Sequence, residues 1–165
     1  MNYLTTGTAP GRIGNAHQNL APYQVFDCSD GWIIIATGND AQYRRLCQLL
    51  GVDDMATAPD FATNAKRIEN RTAMTDALSA RTRMFTKVDL LSACEDRGVP
   101  AGPINDMSEV FADPQVKHRD LQADIDGAPT VRSPIRYSNA DMPLDRPPPD
   151  LDQHGEEIRA SLKKR

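Results

Sequence analysis

The residues of this chain best placed for chemistry are Thr37-Gly38-Asn39-Asp40, because a hydrophobic run precedes them and a helical pattern follows. At such a junction the first amides of the helix point outward with partial positive charge and can receive an anion or oxyanion. Gly38 would let a ligand approach the backbone closely, and Asp40 could serve as acid, base or electrostatic neighbour. A glycine turn with an N-cap satisfies the same residues without any ligand. Arg67 and Arg71 could together grip a phosphate or carboxylate. Like charges at this i, i+4 spacing more often share a solvated helix face, which is the expectation for this pair. Arg119, Asp120 and Asp124 are read as surface charges. His17, His118 and His154 are isolated from one another, so spacing gives none of them a role beyond that of a surface or hydrogen-bonded histidine.

Cys28, Cys47 and Cys94 are far apart and lack metal-ligand spacing, so no metal site is expected. They are expected to be reduced, with Cys47 and Cys94 acting as small hydrophobic residues on apolar helix faces. Dinucleotide, nucleotide-triphosphate, zinc-protease and serine-hydrolase signatures are all absent. With 39% hydrophobic and 25% charged residues among 165, the chain suits one modest core. A net charge of −4, with a basic run only at Lys163, Lys164 and Arg165, leaves no electrostatic footprint for nucleic acid. No apolar stretch approaches the roughly 20 residues that cross a bilayer, and Met1 to Gly14 lacks the regions of a signal peptide. A cytoplasmic protein with neither nucleic-acid nor membrane partners is expected.

The elements that must position these residues follow from pattern. Residues 1–22, with little hydrophobic periodicity, read as an extended linker arm. Tyr23, Val25 and Phe26, the turn Ser29-Asp30-Gly31 and the run Trp32 to Ile35 predict a hairpin whose second strand is buried. Tyr43, Leu46, Cys47 and Leu50 repeat at helical spacing until Gly51. Asp60 to Arg83 reads as a broken surface helix with the stripe Ala73, Met74, Ala77 and Leu78. Thr86 and Asp89 cap a further helix with Val88, Leu91 and Cys94 toward the core, and a short strand is expected at Ala101 to Ile104. Two short helices start near Asp106 and Asp113-Pro114. The tail alternates weakly through Val131, Ile135 and Tyr137, passes Pro147-Pro148-Pro149 and ends in a polar helix near Glu156 to Leu162. The sum is an α+β architecture: a small domain over 23–120 and a returning C-terminal segment with a last helix over 121–165. The middle, roughly Tyr23 to Asn105, is expected to fold, with the arms mobile or swapped onto another copy.

The stretch Gly14-Asn15-Ala16-His17-Gln18-Asn19-Leu20-Ala21-Pro22-Tyr23-Gln24-Val25-Phe26 resembles the GN-x-HPN-x-x-PYQ-x-F segment of family III CoA-transferases. That group includes formyl-CoA and carnitine CoA-transferases and α-methylacyl-CoA racemases. Asp30-Gly31-Trp32, Gly38-Asn39-Asp40 with Gln42-Tyr43, Arg67 with Asn70, Gly98 to Pro103, Asp113-Pro114-Gln115 and Leu151-Asp152-Gln153-His154 match in the same order. Gln18, Asp152 and Gln153 depart from the pattern. The resemblance implies the small domain of such an enzyme, its N- and C-terminal arms belonging to a large domain. It also implies transfer of CoA from an acyl-CoA to a free carboxylic acid through a carboxylate nucleophile. In the family that aspartate lies upstream of the GN-x-HPN motif, so the chain is expected to be a fragment without it, inactive alone. Thr37, Gly38, Asn39 and Asp40 map onto the loop that shields acyl intermediates from water, and His17, Asn19 and Gln42 onto substrate-binding positions. No cofactor is bound permanently, the coenzyme A thioester being substrate. A homodimer of interlocked rings, or a separate large-domain partner, is implied. Racemases carry a glutamate at Asp40, and the GND-x-Q form here is more like the transferases. An α-methylacyl-CoA racemase-like fragment and a non-catalytic dimerisation remnant are the alternatives.

Overall fold

The computed structural model of the protein describes residues 2–163; Met1, at the start of the arm, and Lys164 and Arg165, of the terminal basic run, lie outside the described residues. Contacts divide the chain into two compact units, one ending at Ile104 and one beginning at Asn105.

In the first unit a short helix, α1 (Asn2–Thr6), is followed by an irregular segment and then by β1 (Tyr23–Cys28) and β2 (Gly31–Ala36). Helices α2 (Asp40–Leu50), α3 (Asp53–Thr57), α4 (Asn64–Glu69), α5 (Arg71–Thr82) and α6 (Lys87–Asp96) lead to β3 (Ala101–Ile104). The strands form one antiparallel sheet in the order β1-β2-β3, with Val25 opposite Ile34 and Ile34 opposite Gly102. Alternate side chains of a strand face opposite ways, so one sheet face carries Phe26, Ile33 and Ile35, all at most 1% exposed. Tyr43, Leu46, Cys47 and Leu50 of α2, Met74 and Leu78 of α5, and Leu90 and Cys94 of α6 complete the core.

The run Trp32 to Ile35 is therefore buried on one face only: Trp32 is 54% exposed, which corrects the expectation of a fully buried strand. The reason is that the buried helical residues meet only the Ile33 and Ile35 side of β2. In α6 the inward face is Leu90 and Cys94 with Leu91 at its edge, not Val88, which is 73% exposed. Val88 lies about 200° around the helix from Leu90, so both cannot face the core. In α5 the stripe narrows to Met74 and Leu78, with Ala73 exposed. Thr86 caps α6 by accepting from the Asp89 amide, and α2 ends where Gly51 takes φ 65°, a left-handed conformation that glycine adopts at little cost.

The second unit contains α7 (Met107–Ala112), α8 (Pro114–His118), β4 (Gln122–Ile125), β5 (Ala128–Val131) and α9 (Gly155–Leu162). Asp106 and Glu109 form a reciprocal capping box, and Asp113 caps α8 ahead of Pro114. Strands β4 and β5 make a hairpin closed by Asp126-Gly127, both at positive φ (53° and 84°). None of the described residues in this unit is buried. No helix among the described residues is long and apolar enough to cross a membrane.

Candidate functional site

Arg67 organises the surroundings of the glycine loop. It is 1% exposed, and a buried guanidinium is tolerated only when its donors are filled. Its Nε donates to the Ala21 carbonyl at 2.6 Å, one terminal nitrogen donates to the Phe61 carbonyl at 3.0 Å, and the other to Asp40 Oδ1 at 2.7 Å. The guanidinium carbon lies 4.3 Å from the centre of the Tyr43 ring, a cation–π contact. Arg71 donates to the carbonyls of His17 and Gln18 at 2.9 and 3.2 Å. These contacts correct the sequence expectation: the pair is not a solvated helix face but a clasp on the segment from His17 to Ala21. Asn64 completes it, donating to the Asn19 carbonyl at 2.8 Å and accepting from the Ala21 amide at 3.0 Å. The helices supply side-chain partners for a segment that has no strand to pair with, so its backbone groups stay satisfied.

The glycine loop is joined to the same segment. The Thr37 amide and hydroxyl both donate to the Pro22 carbonyl at 2.9 Å, and Asp40 reaches the arm through Arg67. Asn39 is the N-cap of α2, accepting from the Gln42 amide at 2.9 Å. Gln42 Oε1 in turn accepts from the Gly38 amide at 2.7 Å. The capped glycine turn is thus formed, and the Gly38 amide already has a protein partner in place of an anion. A Cβ on Gly38 would meet only Gln42 Oε1, at 3.5 Å, and its φ is not in the left-handed range, so nothing in this chain requires glycine there.

Of the substrate-binding positions implied by the resemblance, His17 is exposed and stacked on Tyr23, with ring centres 5.1 Å apart. Its Nδ1 accepts from the amides of Asn19 and Leu20 at 3.0 and 3.1 Å. The Asn19 side chain forms a reciprocal amide pair with Asn2 of α1, and Gln42 closes the glycine loop. Thr37, Gly38, Asn39, Asp40, Gln42, His17 and Asn19 are therefore joined through the backbone of Ala21 and Pro22. The sequence reading missed Arg67 and Asn64 as the joints. A signal existed: extending the Met74–Leu78 stripe back by two turns reaches Arg67.

Desolvation raises the Cys94 thiol to about 11, raises Cys28 and Cys47, and, with the adjacent Cys47, raises the Tyr43 phenol. All three cysteines are buried free thiols in their protonated form at neutral pH, unsuited to nucleophilic work. Among the described residues no three His, Cys, Asp or Glu side chains gather into a metal-binding group.

Sequence and fold comparisons agree with one another. A succinate–glutarate CoA-transferase of Agrobacterium fabrum is 45% identical over 98% of this chain, and the human succinyl-CoA:glutarate CoA-transferase is 37% identical over 93%. The chain spans 42% and 36% of the lengths of these relatives. A solved CaiB/BaiF family protein from Brucella suis is 50% identical and superposes with a TM-score of 0.83 over 98% of this chain and 43% of its own. The model describing CoA-transferase family III matches residues 1–155, and this chain belongs to that family.

Proposed function

We propose that this chain is the small domain of an acyl-CoA:carboxylate CoA-transferase, moving CoA from an acyl-CoA to a free carboxylic acid, with the carboxylate nucleophile supplied by polypeptide outside this chain. The coenzyme A thioester is then substrate, not a resident cofactor. The names of the relatives favour short dicarboxylic acids, with succinyl-CoA as donor and glutarate as acceptor. The observation that carries the reading is the Asp40–Arg67 pair. A carboxylate held at 2.7 Å by a buried arginine anchors the loop, and the GND-x-Q form of that loop favours transfer over racemisation. Anchored in this way, Thr37 to Asp40 covers the reacting acyl group and keeps water from mixed-anhydride and thioester intermediates. His17, Asn19 and Gln42 line the acid's side of that cover. Pairing with a large domain or a second copy completes the site.

The test joins this chain to the upstream part of the Agrobacterium fabrum relative and supplies succinyl-CoA and glutarate. Glutaryl-CoA is the expected product. Exchange of an α-proton on an acyl-CoA without CoA transfer would instead assign the racemase reading.

A further inference from the structure

We infer that the outer face of the β1-β2-β3 sheet is a docking surface for the polypeptide that supplies the nucleophile from outside this chain, and that seating there registers it against the Thr37–Asp40 loop. This deepens the reading above and rests on it. An antiparallel sheet with one solvated face normally carries apolar side chains inward and polar ones outward. Here the positions that alternate with the buried Phe26, Ile33 and Ile35 are apolar as well: Val25, Trp32, Ile34, Ala36 and Ile104. Trp32 and Ile104, 54% and 40% exposed, stand opposite each other in the register. Among the described residues of the three strands Asp27 is the one charged side chain, and Arg83 holds it at 2.7 Å near the turn. Gly102, opposite Ile34, keeps the middle of the face low. A Cβ there would make an ordinary contact with Ile34 Cγ2 at 3.6 Å, so nothing within this chain calls for glycine. An exposed apolar face of this kind marks a contact surface.

Size and connection choose the occupant. Three strands about 4.8 Å apart, rising about 3.3 Å per residue, present roughly 200–300 Å². Free chains that form a stable complex bury about 800 Å² on each partner, so a second copy held by this face alone would dissociate. Polypeptide continuous with the chain docks at high effective concentration and needs far less area. More than half of the Agrobacterium fabrum relative and of the Brucella suis protein lies outside the part that matches this chain. Position agrees with size: β2 leads from Trp32 to Ala36, about 13 Å along the strand, and Thr37 follows at once. Polypeptide seated on Trp32, Ile34 and Ile104 therefore lies alongside the base of the loop.

Trp32 is the one tryptophan of the sequence and reports on the face directly. Acrylamide quenching of its fluorescence is measured in the 165-residue chain and in the chain joined to the upstream part of the Agrobacterium fabrum relative. In each case the signal is the difference from the Trp32→Phe counterpart. The chain alone should be quenched freely at every concentration from micromolar to about 100 μM, below the range in which so small a face holds two copies together. Joining should reduce quenching about fivefold or more, as a half-exposed indole enters an interface core. Ile104→Glu, at an exposed position, should shift the urea midpoint of the chain alone little and restore free quenching in the joined protein. Quenching that is equal in the two proteins, or protection in the joined protein that survives Ile104→Glu, would overturn the inference. Protection that grows with concentration in the chain alone would overturn it too, by assigning the face to a second copy, and this arm stands whether or not the joined protein folds. None of these readouts depends on turnover. A joined protein in which Trp32 is covered but no glutaryl-CoA forms would count against the transferase reading and leave the docking surface in place.

Discussion

Replacing Arg67 with methionine keeps most of the side-chain volume and removes every donor. The Ala21 carbonyl then loses its 2.6 Å partner at a residue that is 0% exposed, and a buried unsatisfied acceptor costs about 1–3 kcal/mol. The Phe61 carbonyl sits on a half-buried residue, so water replaces part of its 3.0 Å bond. The Asp40 side chain is 42% exposed and rehydrates on losing its partner. Together these give a loss of about 2–4 kcal/mol, near or below the roughly 3–5 kcal/mol for breaking a fully buried pair. Asp40→Asn, which leaves Arg67 its two carbonyls and keeps an amide oxygen as its third acceptor, removes only a partly hydrated negative charge and should cost less than about 1 kcal/mol. Urea unfolding followed by far-ultraviolet circular dichroism reads both. With a slope of about 2 kcal/mol/M, Arg67→Met moves the midpoint down by roughly 1–2 M and Asp40→Asn by less than about 0.5 M. Equal losses from the two, or a loss from Arg67→Met under about 0.5 kcal/mol, would refute the assignment of Arg67 as the joint between arm and loop.

Gly38→Ala should leave stability within about 0.5 kcal/mol, since its new methyl meets only Gln42 Oε1 at 3.5 Å, while activity of the joined enzyme falls if an outside group packs on that loop. In α6, Leu90→Ala should cost about 2–5 kcal/mol and Val88→Ala less than about 0.5 kcal/mol, measured in the same unfolding assay. Iodoacetamide at pH 8 should modify the folded chain slowly and all three thiols rapidly in urea. The Cys94 thiol is held at about 11 when folded against 9.0 for an ordinary thiol, so the folded state keeps its proton longer. Its contribution is full below about pH 9 and declines as pH rises toward 11, which a series of urea midpoints across that range detects.

Local signals were legible where one element decides the outcome. The β1–β2 hairpin, the Asn39 and Thr86 caps, the Gly51 stop and the Asp113-Pro114 start depend on neighbouring residues, and each stands in the fold. Arg67 was misread because its burial depends on carbonyls at Ala21 and Phe61 brought together by the fold, which an i, i+4 charge rule does not see. Val88 was misread because three apolar residues at spacing three fit a helix face as well as Leu90 and Cys94 do, and the sheet behind α6 chooses between them. The β4–β5 hairpin escaped notice although Asp126-Gly127 is a strong two-residue turn signal, because its flanking strands are short and carry little hydrophobic alternation. At the candidate site, the capped turn from Thr37 to Asp40 was legible from the strand-to-helix junction alone. Its tether to the arm needed three-dimensional contacts, since Asp40 and Arg67 lie 27 residues apart.

The most direct test of the central claim is the CoA-transfer assay on this chain joined to the upstream part of the Agrobacterium fabrum relative, with that relative's own downstream part in the same arrangement as control. The account predicts glutaryl-CoA from succinyl-CoA and glutarate at a rate comparable to the control. A joined protein that unfolds cooperatively and binds CoA, yet forms no glutaryl-CoA while the control does, would contradict it.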